Sequence, residues 1–254
     1  MRVICCVLLF FFVFGLRQII NVLIYVHLPP EWLQRFINLV FQIVSLTAVL
    51  LLMKWENSRL QEHGFWLPEE DFGRYLFVSM LFALAYVFIT VFLQGIFLGF
   101  ELYPPVPQPF LEIADILLTS IVTESIFRGY IQRNLTRVYG FLPALSLSSV
   151  LFSIYGVSLP SLLFSFDLTF LLVTIVSLFV ASIFLGFFFQ KTMTLVCPVA
   201  FYGFHLFLYR FTTVKVITTE FMAVFFDVIA YIFLILLVYT LERKKFWELE
   251  ETIT

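Results

Sequence analysis

Apolar residues run through this chain in long blocks, and most polar positions fall in the short gaps between them. A window of about 19 residues, enough to cross a bilayer as a helix, marks eight predicted helices. They cover residues 3–26, 36–53, 75–100, 110–127, 141–166, 168–190, 193–209 and 220–241. The third is long enough to tilt in the membrane. Pro160 and Pro198 fall inside the fifth and seventh, where proline is expected to kink a helix and free carbonyls beside a cavity. The fold expected is all-α, a polytopic membrane protein of about eight transmembrane helices. N-terminal helices with a cytoplasmic loop fill residues 1–109, and a last helix with its tail fills 211–254.

Composition narrows the class. The chain is 62% hydrophobic and 13% charged over 254 residues, with a mean hydropathy of +1.03, more apolar surface than a soluble domain of that length can bury. A net charge of −2 argues against nucleic acid as a partner. The start of the chain, MRVICCVLLFFFVFG, imitates a secretory signal, but the apolar run resumes after Arg17 and Gln18 and no small-residue cleavage site follows. A first membrane helix interrupted by Arg17 is the reading. Cys5, Cys6 and Cys197 lie in apolar runs without ligand spacing and read as small buried hydrophobes.

Lys and Arg set the orientation. With a cytoplasmic N-terminus, that side collects Arg2, Lys54, Arg59, Arg74, Arg128, Arg133, Arg137, Lys191, Arg243, Lys244 and Lys245, against Arg35, Arg210 and Lys215 on the other. This bias places both termini in the cytoplasm, as an even number of spans requires. The segment 54–74, with Trp55, Phe65 and Trp66, reads as interfacial, 102–109 as a stiff proline-rich turn, and 242–254 as a polar tail.

Charge inside the apolar blocks is the candidate chemistry. The fourth helix carries Glu112, Asp115, Thr119 and Thr123 at spacings of three and four, one stripe of a helix, with Glu124 beside it. Glu112 follows Pro109 in the first turn, where the dipole favours a carboxylate. Glu124 and Arg128 stand four apart with the acid first, the better order for a pair. A charge at mid-bilayer costs about 2.5–3.5 kcal/mol, so such residues pair, line a cavity or do chemistry. Asp227 lies within the last helix and needs a partner. Asp167 falls in a short outer turn. His205 is expected to hydrogen-bond a neighbouring helix or to take part in a site, and His27 and His63 fall at an interface and in a loop. No pair of histidines has metal-ligand spacing, and neither a metal nor another cofactor is expected.

The run Thr123-Glu124-Ser125-Ile126-Phe127-Arg128-Gly129 resembles the first motif, Glu-Glu-x-x-x-Arg, of the CPBP (Abi) family, which includes the type II CAAX prenyl endopeptidases. Residues 147–156 resemble its second motif, Phe-x-x-x-His. Residues 181–206 resemble the helix, short basic turn and proline-containing helix that end in its third, His-x-x-x-Asn. The resemblance implies an intramembrane peptidase core over residues 110–210. There the first Glu and the second-motif His activate water, the third-motif His and Asn stabilise the oxyanion, and the second Glu and the Arg hold the site together. Such roles need a carboxylate in reach of water and donors aimed at the developing charge. In this chain the second Glu and the Arg are Glu124 and Arg128. The other four positions hold Thr123, Gly156, Tyr202 and Leu206, which supply neither a base nor an imidazole.

Three functions follow as expectations. The first is a non-catalytic homologue that binds a prenylated or other hydrophobic peptide, a membrane lipid or a protein partner in the old cavity. The second is an active peptidase with Glu124 as base and His205 and Asp115 as helpers. The third is a transporter or membrane-complex subunit whose polar residues, Asp115 and Asp227 among them, line a path.

Overall fold

The computed structural model describes residues 2–65, 69–102, 108–158, 160, 163, 168–211, 214–216 and 220–243. The chain folds as a helical bundle. The helices are α1 (Arg2–His27), α2 (Glu31–Trp55), α3 (Glu69–Val87), α4 (Gln94–Leu98), α5 (Pro109–Glu124), α6 (Arg133–Tyr139), α7 (Phe141–Gly156), α8 (Leu168–Thr192), α9 (Val196–Phe211) and α10 (Glu220–Arg243). Two π-helical stretches join helices end to end, Phe88–Leu93 between α3 and α4 and Ser125–Gln132 between α5 and α6. One short antiparallel strand pair, β1 (Phe100–Leu102) with β2 (Val214–Val216), is added to this all-helical frame.

Among the described residues, five stretches are long and apolar enough to cross a membrane: Arg2–His27, Glu31–Trp55, Asp71–Ile96, Leu168–Thr192 and Met222–Arg243. Only 22–33% of their most apolar windows is buried inside the bundle, so most of each span faces outward. Phe11, Leu51, Phe77 and Leu236 are all exposed on that outer surface. An apolar surface so extensive needs lipid, not water, as its solvent. This is an integral membrane protein.

Several boundaries differ from expectation, each for a local reason. The helix at 110–127 does not stop there; it runs through the π-helical stretch and α6 as far as Tyr139. The one expected over 141–166 ends at Gly156, where Val157 turns extended and its carbonyl accepts from the Gln18 amide at 2.8 Å. Pro198 lies in the first turn of α9, where no i−4 carbonyl is lost, so it leaves that helix unkinked. Arg17 does not break α1; its guanidinium lies 4.2 Å from the Tyr155 ring centroid. Asp167, Trp66, most of the proline-rich turn and the tail from 244 on lie outside the described residues.

Among the described residues, two apolar clusters form the core. One joins α1, α2, the π-helical stretch and α7 around Phe127, Tyr130 and Phe152. The other joins α3, α8, α9 and α10 around Phe184, Phe188, Phe201 and Tyr231. Lipid tails are as apolar as these side chains, so close approach and polar contacts must hold the helices together. Glycine permits that approach at Gly203, where an added Cβ would stand 2.9 Å from the Ser120 hydroxyl of α5.

His63 lies in a short 3-10 turn, Leu60–His63, and is fully buried rather than loop-exposed. Its Nδ1 donates to the Gly129 carbonyl at 2.7 Å and its Nε2 faces the Ser58 hydroxyl at 3.1 Å. Gly64 follows in the left-handed region at φ 81°, which turns its carbonyl to accept the Leu195 N–H at 2.8 Å. Burial pushes the His63 imidazole below its ordinary value. The unfolded chain therefore takes up a proton first as pH falls, and stability drops below about pH 6.5 until the folded imidazole also protonates. Unfolding of detergent-solubilised protein should show a lower midpoint at pH 5.5 than at pH 8, and His63→Gln should flatten that difference.

Candidate functional site

Glu124 is the last residue of α5 and Arg128 lies one turn into the π-helical stretch. Both are completely buried, with Arg128 Nε 3.2 Å from Glu124 Oε2. The contact is ionic without hydrogen-bond alignment; neither Glu124 oxygen accepts a hydrogen bond. Arg128 Nη2 donates instead to α8, at 3.0 Å to the Ser182 hydroxyl and 3.2 Å to its carbonyl, and the guanidinium lies 4.5 Å from the Phe152 ring centroid. One side chain thus ties α8 and α7 to the stretch following α5 and joins the two apolar clusters. A π-helical turn at such a point is frequently associated with a functional site.

Glu112 and Asp115, one to two turns into α5, are also buried. Glu112 pairs with Arg35 of α2 and with Arg210 of α9. Arg210 reaches Asp115 at 2.7 Å, and the Gln42 amide donates to Asp115 at 2.9 Å and to Thr119 at 2.6 Å. Glu112 is therefore more than a cap-region acid, and Asp115 is engaged in a network that clamps α2, α5 and α9.

A cavity of about 540 Å³ opens between α3, α7, α8, α9 and α10. Tyr202, Leu206, His205, Phe152 and Asp227 line it. Thr123, Glu124 and Arg128 do not; Thr123 is buried beside Glu124, and Tyr202 lies within electrostatic range of Glu124 and Arg128. Gly156 borders the cavity through Leu178, whose Cδ1 fills the space that a Cβ at position 156 would take. Tyr202 and Leu206 thus stand on the cavity wall, Gly156 lies behind Leu178, and Thr123 is buried away from the lining. Gly156→His should cost about 1–3 kcal/mol through overpacking, read as a lowered thermal midpoint, with relief when Leu178 is also cut to Ala.

His205 lines the cavity. Its Nδ1 is buried without a partner instead of bonding a neighbouring helix, and its ring packs edge-on against Tyr86 at 4.7 Å between centroids. Asp227 does find partners: Tyr86 Oη donates to Oδ1 and Ser177 Oγ to Oδ2, each at 2.6 Å.

Residues 105–208 match the family model described as type II CAAX prenyl endopeptidase Rce1-like. The match covers less than half of the chain and supports a likeness to the CAAX prenyl endopeptidases over that stretch. No curated protein matches the chain. The CAAX-protease-like segment includes the Glu124–Arg128 pair and the α9 wall of the cavity, whereas Tyr86, Asp227 and Tyr231 come from helices outside it. Sequence reasoning missed Gln42, Arg35, Arg210, Ser182, Tyr86 and Ser177 as partners. Gln42, mid-helix among apolar residues, was the one with a visible signal; the two arginines read as ordinary loop cations, and serine and tyrosine are common in membrane helices.

Proposed function

We propose that this membrane protein is a non-catalytic member of the CAAX-protease-like family that binds an amphipathic guest, a prenylated or hydrophobic peptide or a lipid, in the cavity beside α9. The observation that carries this reading is the fate of the motif positions. Tyr202 and Leu206 stand on the cavity wall in place of the family's His and Asn, and Leu178 occupies the space behind Gly156. Glu124 is shut away with Arg128 and does not reach the cavity, so it has no access to water there. A general base must lie within reach of the proton that it takes, and the pair acts here as a brace between helices. The cavity's mainly apolar wall suits an alkyl or prenyl chain. The eight spans that hydropathy marks all cross the membrane in this reading, and the bias of Lys and Arg puts both termini in the cytoplasm.

One observation favours the alternative that Glu124 is a working base: its carboxylate oxygens accept no hydrogen bond. Purified protein in liposomes decides between the two. Incubation with prenylated CAAX peptides should release no product above that of a Glu124→Gln control. Reproducible cleavage that disappears in the control would overturn the non-catalytic reading.

A further inference from the structure

Asp227 is a carboxylate in the first third of the membrane helix α10, and both of its oxygens already accept hydroxyl hydrogens, from Tyr86 and Ser177. An ionised carboxylate is an acceptor only, so two inward donors suit the charged form. No Lys or Arg pairs with it among the described residues. The other acids of the bundle interior differ: Glu112, Asp115 and Glu124 each have an arginine. Asp227 alone of this set carries its charge to a cavity wall.

The surroundings narrow what would balance it. Tyr86, Phe201, His205 and Tyr231 line the same cavity, and the Tyr86 ring lies 4.7 Å from His205 and 4.8 Å from Tyr231 between centroids. Aromatic faces grouped around a carboxylate attract organic cations. The buried Nδ1 of His205 lacks a partner, and a head group with N–H donors supplies one. An anionic head would be repelled by Asp227, and a neutral one would leave its charge uncompensated. A metal ion is disfavoured by the donor set, since the described residues hold no group of three or more His, Cys, Asp or Glu able to ligate one.

We infer that the cavity takes an amphiphile whose head is a protonated amine, held by Asp227 with the aromatic side chains around it and the chain along the apolar wall. The inference rests on the reading of the cavity as a binding site and adds the charge of the guest. That charge is opposite to the terminal carboxylate of a free peptide chain.

The full-length protein in non-ionic maltoside micelles provides the test, with dodecylamine, dodecanoate and dodecanol as probes of equal chain length at pH 7.5. Retained adducts are counted by native mass spectrometry. Dodecylamine should bind about tenfold or more tightly than the other two, and Asp227→Asn should reduce it to the level of dodecanol. A long-chain amine bearing a diazirine should label the cavity walls in α8, α9 and α10. If the Asn variant does not fold, the order of the three probes on the unmodified protein and the labelled positions decide. Equal binding of all three, or labelling elsewhere, overturns the ammonium inference and leaves the binding reading standing. Binding of none overturns both.

Discussion

Arg128→Met should destabilise the folded protein by about 3–5 kcal/mol, the usual cost of stranding a buried charge. The guanidinium is the counter-ion of Glu124 and also the donor to Ser182 on α8. Without it the carboxylate stays inside the bundle, with no cation and no hydrogen bond, and the link between the two apolar clusters is cut. Glu124→Gln strands the guanidinium in turn, but its bonds to Ser182 remain, so a smaller loss is expected. The double variant should lose less than the sum of the two, because neither charge is left alone. Unfolding midpoints and monodisperse yield in mild detergent measure this cycle, and additive losses would count against the pairing.

Arg210→Met should show the next largest effect, also about 3–5 kcal/mol. A single nitrogen, Nη1, serves both Glu112 and Asp115. Arg35 still covers Glu112 after the substitution, so the loss falls mainly on Asp115, left with only the Gln42 amide. Because one nitrogen makes both contacts, Arg210→Lys should recover most of the stability. A site that used the planar fork would not tolerate lysine so well. Adding Asp115→Asn to Arg210→Met should also restore part of the loss. If lysine and methionine are equally damaging, the network does not work through this shared nitrogen.

The membrane-spanning character was legible because the hydrophobic blocks are long and nearly charge-free; only lipid accepts helices with so much apolar surface. The Glu124–Arg128 pair was legible from a spacing of four, which survives the switch to π-helical winding because four residues remain close to one turn. Helix ends were less legible. Hydropathy continues past Gly156 without a break, whereas the helix stops where Gln18, far away in sequence, meets the Val157 carbonyl. Hydropathy also falls at Arg128, Gln132 and Arg133, yet the helix runs on to Tyr139 because the Ser182, Gly186 and Glu62 carbonyls, respectively, take up those polar side chains.

The amino-acid order by itself determined that this chain lives in a bilayer and that Glu124 and Arg128 share a helix face. These are matters of composition and local period. Only the tertiary structure decided which charges neutralise each other and which reaches a cavity. Arg210 meets Asp115 across 95 residues of sequence, and Tyr86 meets Asp227 across 141. Partners so distant are chosen by how helices pack, and nothing in the local pattern of either segment records that choice.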